Sequence, residues 1–166
     1  MNIKRKRFIA AFVNILLLAA AFMLRYSGVA VFNIGQAVPL ILLPAALSIS
    51  IFYSENIGLL TGFLTGVFID SVSSDSSCFN TLFFTIGCAV CSVLSSRFLN
   101  RNLKAALCLS AGMSFLYFML KYIIYFVFFG VSVNYDYFIL YLIPSAVYTA
   151  VWVFPFYFLN KKLSSY

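Results

Sequence analysis

"GLLTGFLTGVFID", residues 58 to 70, places Gly58, Gly62 and Gly66 at steps of four and sets Asp70 one further step along, in a stretch with no other charge. On an α-helix four residues drift by only about 40°, so the three glycines form a flat stripe on one face. Hydrocarbon does not drive helices together as water does, and association inside it depends on the close approach that small residues permit. The stripe is therefore read as a docking face, with Thr61 and Thr65 alongside it. The helix that docks there lies either within this chain or in a partner.

The rest of the chain supplies the apolar solvent that this reading needs. Of its 166 residues, 64% are hydrophobic and 9% charged, with no histidine and a mean hydropathy of +1.04. Soluble domains carry roughly 25% charge, which excludes an ordinary water-soluble fold. Crossing about 30 Å of hydrocarbon takes about 20 apolar residues. Six such segments stand between polar breaks, near residues 8–24, 36–54, 57–72, 78–96, 105–129 and 138–159. The expectation is an all-α integral membrane protein, a six-helix transmembrane bundle forming one polytopic domain over residues 1–166.

The net charge of +7 is arranged by side. With Lys4, Arg5, Lys6 and Arg7 in the cytoplasm, alternation of the spans brings Arg97, Arg101, Lys104, Lys161 and Lys162 to the same side. Nine of the eleven basic residues are then inside, with Arg25 outside and Lys121 within a span. This distribution satisfies the positive-inside rule with both termini cytoplasmic, and it explains the charge without nucleic acid. The first apolar run, with Ala19 to Ala21, also has the outline of a signal peptide, but its length and the spans that follow favour a retained helix.

Few residues offer chemistry. Cys88 and Cys91 have the spacing of a redox or metal pair, but without histidine or a βαβ context they read as small residues in helix packing, and no metal or cofactor is expected. Proline punctuates the second and last spans at Pro39, Pro44, Pro144 and Pro155, where each removes a backbone hydrogen bond and can kink the rod. Glu55 lies in a tight turn, either solvated or paired with Arg97, Arg101 or Lys104. Asp70 is the residue to explain, since an acid in a membrane segment marks a functional site until its partner is known. Lys121 lies at a matching depth, about 24 Å from the start of its span against about 20 Å for Asp70. Asp70 either pairs with Lys121, caps the turn leading into the fourth helix, or faces outer water.

The motif "GFLTGVFID", followed by Asn80 in "FNTLFF", resembles the rod shape-determining protein MreD family, whose pattern is G-F-x-x-G-x-x-x-D, a short loop, then G-x-N/S-x-L. Gly62, Phe63, Gly66, Asp70, Asn80 and Leu82 match it. Pro39 before the motif and the closing span "IPSAVYTAVWVFPFYFLNKK" extend the likeness over nearly the whole chain. Cys78 stands where the family usually has glycine, and Thr149 follows Tyr148 where asparagine is common.

The resemblance implies a non-catalytic member of the cell-elongation machinery in the bacterial plasma membrane. It implies work with MreC, with MreB, and with a RodA-type glycosyltransferase and its class B penicillin-binding protein. Arg97, Arg101, Lys104, Lys161 and Lys162 would then face MreB and the anionic inner leaflet. It also implies a fold shared with the substrate-binding S components of energy-coupling factor transporters, which makes such a component the alternative function. Against that alternative, no alanines of the first helix are spaced by four, and the outer loops lack a polar cluster to grip a ligand. An enzyme using Asp70 and Asp136, in the manner of lipoprotein signal peptidases, lacks the surrounding motifs of that family.

Overall fold

The computed structural model describes residues 3–26, 40–73, 78–97, 103–129 and 142–164. They form α1 (Ile3–Tyr26), α2 (Leu42–Phe52), α3 (Glu55–Val72), α4 (Phe79–Arg97), α5 (Leu103–Phe129), α6 (Ile143–Val151) and α7 (Val153–Ser164). Pro39, Arg101 and Asp136 lie outside the described residues.

The helix α2 is the axis of the bundle. All eleven of its residues are buried, and it touches each of the other six described helices. Its sequence, "LLPAALSISIF", keeps small residues among large ones, and the hydroxyls of Ser48 and Ser50 donate back to the carbonyls of Ala45 and Ala46 at 2.8 and 2.9 Å. No polar group of these serines is left facing an apolar neighbour unpaired, as burial in such an environment requires.

Prolines begin helices here instead of bending them. Pro44 is the third residue of α2 and Pro144 the second of α6, positions where the missing N–H would have no intrahelical acceptor. Pro155 breaks the last expected span in two. Its ring cannot coexist with a helical carbonyl at Val151, so α6 ends there, the Trp152 N–H tightens onto the Thr149 carbonyl at 3.2 Å, and α7 starts afresh at Val153.

On α3, and in part on α4, large side chains point outward and small or polar ones inward. On α3 the buried residues are Gly58, Thr61, Gly62, Thr65, Gly66 and Ile69, whereas Leu60, Phe63, Leu64, Val67 and Phe68 are exposed. The same inversion holds on α4, where Leu82, Ile86 and Val90 face out and Asn80, Ser92 and Ser95 are buried. An apolar surface this continuous is that of a molecule solvated by hydrocarbon. By length and composition, Phe79–Arg97 and Leu103–Ile124 each suffice to cross a membrane.

The glycine stripe docks on α4 of the same chain. A Cβ on Gly62 would collide with the Phe84 carbonyl, and one on Gly66 with the backbone of Thr81; at Gly58 it would meet Ser92 Cβ at 3.0 Å. These obstacles at Gly62 and Gly66 are backbone atoms, which cannot swing aside. Gly112 on α5 has open space at the same position. Gly62→Ala or Gly66→Ala is therefore expected to destabilise the fold by at least the ~1–3 kcal/mol of ordinary overpacking. Gly112→Ala should leave thermal unfolding in mild detergent unchanged; equal melting temperatures for all three variants would contradict the docking.

Candidate functional site

Three helices converge on Asp70. It sits in the last turn of α3, where its charge is poorly placed against the negative end of its own helix, and the first turn of α4 compensates. Its Oδ1 accepts from Asn80 Nδ2 at 2.8 Å, and its Oδ2 accepts from the Thr81 backbone N–H at 2.8 Å and from Thr81 Oγ1 at 2.5 Å. The carboxylate thus caps a neighbouring helix from outside it, satisfying an otherwise orphaned amide and meeting the positive end of the α4 dipole.

Asn80 passes the network on to α5. Tyr117 donates its hydroxyl to Asn80 Oδ1 at 2.8 Å, which orients the amide with its nitrogen toward Asp70. Asn80 and Tyr117 are buried, and Asp70 is half-buried. Phe79, Phe83, Phe84 and Phe118 surround the Tyr117 ring, with centroids 5.2 to 6.2 Å away. The chain Tyr117 to Asn80 to Asp70 ties α5, α4 and α3 together at one end of the bundle. Gly66 lets it form, because its missing side chain is what brings Asn80 and Thr81 against α3.

Lys121 stands one turn beyond Tyr117 on α5, half-buried. The hydrogen bonds of the Asp70 side chain run to α4. Neither Thr81 nor Tyr117 carried a signal in the sequence: Thr81 is one of several hydroxyls, and Tyr117 sits in "FLYFMLKY", which reads as lipid-facing and packed helix.

A second polar tie lies near the start of α2. Thr149, where the family pattern favours asparagine, is fully buried; its Oγ1 accepts from the Leu40 N–H at 3.1 Å and donates to the Ser145 carbonyl at 2.7 Å. The substitution retains a polar role. Toward the other end, Asn160 Nδ2 donates to Ser48 Oγ at 3.0 Å, joining α7 to α2.

The remaining site residues gather at that other end. Arg97 closes α4, Lys104 opens α5, and Lys161 and Lys162 lie in the last turn of α7, all exposed. Glu55, at the start of α3, accepts from Ser96 Oγ at 3.5 Å and is exposed. The rise of α1 carries Lys4 to Arg7 toward this end too, since Phe22 meets Phe68 near the far end of α3. Cys88 and Cys91 are buried in the core shared with α2, and among the described residues no three histidine, cysteine or acidic side chains group to hold a metal.

A family-level sequence model described as rod shape-determining protein MreD matches residues 6–166. The chain belongs to the MreD family. No curated protein sequence and no solved structure matches it. As a member of the MreD family it is a rod shape-determining membrane protein, and its apolar outer surface fits that assignment. The family motif residues Gly62, Gly66, Asp70 and Asn80 meet here in one contact between α3 and α4.

Asp70→Ala removes the acceptor of three hydrogen bonds, one of them from a helix amide, and is expected to lower stability by about 3 kcal/mol; Tyr117→Phe should lower it by about 1 kcal/mol. Because Asn80 bonds both side chains, their effects should be non-additive by more than ~0.5 kcal/mol. Strict additivity in thermal unfolding would show that Asn80 does not transmit the interaction. The same cycle with Lys121→Met and Asp70→Asn tests for attraction across α3 and α5.

Proposed function

We propose that this MreD-family protein is a non-catalytic scaffold of the cell-elongation machinery. In this reading a six-span bundle with cytoplasmic termini holds MreC beside a RodA-type glycosyltransferase and its class B penicillin-binding protein, and connects them to MreB. The observation that carries the non-catalytic reading is the engagement of Asp70. Both carboxylate oxygens are occupied by α4, so the acid in the family motif serves helix packing rather than a substrate. What the bundle offers its surroundings is surface: apolar flanks and one basic end.

Arg97, Lys104, Lys161 and Lys162 form the face assigned to the cytoplasm, following the positive-inside rule, and the sequence assigns Arg101 to the same side. A fluorescent reporter fused to the C-terminus should then be active, and a reporter that requires export should be inactive there. The opposite pattern would reverse the orientation.

Gentle detergent extraction of a tagged copy at native expression, followed by mass spectrometry, tests the partners. Recovery of MreC, with the glycosyltransferase and transpeptidase, is the expected result. Recovery of a coupling subunit with paired ATPases would make the protein a transporter S component instead.

A further inference from the structure

We infer that the basic end of the bundle, at the rim shared by α5 and α7, is a binding site for anionic phospholipid. The inference concerns the bilayer alone and does not depend on which proteins the bundle holds. Two helix ends are brought together there by packing: Ala106 and Leu103 of α5 lie against Val153 and Tyr157 of α7. Lys161 is one turn past Tyr157 on α7 and Lys104 adjoins Leu103 at the start of α5, so both exposed lysines stand at the same end of this helix contact. Lys162 and, across the end of the bundle, Arg97 add to the same field.

The level of these charges selects the ligand. Phe158 and Leu159 are exposed directly beside Lys161, and Cys108, Ala111 and Gly112 are exposed on α5 within about 12 Å of Lys104 along the helix. Exposed apolar side chains give way to ammonium groups within one turn. That is the boundary where a lipid phosphate sits above its acyl chains, and long lysine side chains can reach it by extending toward the interface. Two turns from Lys104 the surface of α5 is open, since nothing stands within 4 Å of where a Gly112 side chain would begin. An acyl chain can lie there while its headgroup meets the lysines. A soluble anion could use the charges but not the apolar surface, and a zwitterionic lipid could use the surface but would leave the net positive field unanswered.

The test uses the full-length protein in nanodiscs of equal phosphatidylglycerol and phosphatidylcholine, with the lipids retained after detergent transfer identified by mass spectrometry. Phosphatidylglycerol should be enriched at least roughly fivefold, the ratio that the about 1 kcal/mol of a single basic side chain provides. Enrichment should fall to the bulk ratio in the Lys104→Gln, Lys161→Gln, Lys162→Gln triple variant, and it should weaken at about 1 M salt, where screening acts within ~3 Å. Gly112→Leu should lower total retained lipid without changing thermal unfolding in phosphatidylcholine. Inorganic phosphate or glycerol phosphate at millimolar concentration should not displace the lipid; displacement would make this a soluble-anion site and overturn the assignment. Absence of enrichment in the unmodified protein, or unchanged enrichment in a triple variant that unfolds normally, would also overturn it.

Discussion

The backbone-to-backbone approach of α3 and α4 is the contact on which the rest of the bundle depends. In hydrocarbon there is no gain from hiding apolar side chains, because the solvent is as apolar as they are. What remains is dispersion between closely packed atoms and hydrogen bonds with no competing water. Gly62 and Gly66 place α3 against the main chain of Phe84 and Thr81, and this proximity brings the Asp70 carboxylate within reach of the α4 amide and the Asn80 side chain. The polar network follows from the packing and in turn pins it, since sliding either helix would leave a charge and an amide unpaired.

A second consequence is the character of α2. A helix wholly enclosed by six others has no lipid face, so its residues are chosen for fit and for self-sufficiency of their hydroxyls. Its eleven residues span about 17 Å, short of the hydrocarbon thickness. Thr149 reaches from α6 to the Leu40 N–H just ahead of it, and Asn160 of α7 to Ser48 further along, so the axis is tied to the broken final rod just before its start and again near its middle. The break that Pro155 imposes gives that rod two separately oriented pieces, and each of the two ties comes from a different one.

Among the described residues, these features divide the molecule into an end rich in hydrogen bonds between side chains and an end rich in exposed positive charge. The first is internal: its acid, amide and phenol are consumed by one another. The second is external, with the ammonium and guanidinium groups exposed. Polar groups turned inward and outer helix faces that are apolar, among the described residues, agree with a shape-determining role in the membrane.

Much of this was legible in the linear chain. Composition alone decided the solvent, the four-residue spacing of Gly58, Gly62 and Gly66 decided that one face of α3 would dock closely, and the motif ending in Asp70 and Asn80 pointed to the family, because these are local or periodic properties that need no knowledge of neighbours. The sequence left open whether the stripe meets a helix of this chain or another, and tertiary structure supplied α4. It left Asp70 with three outcomes, and only the placement of the α4 amide beside the carboxylate produced the cap. Tyr117 and Thr81 were invisible as members of polar ties, since a phenol or a hydroxyl in an apolar helix looks the same whether it faces lipid or a partner. Hydrogen bonds between residues tens of positions apart depend on which helix faces meet, and that is decided by the packing of the whole bundle.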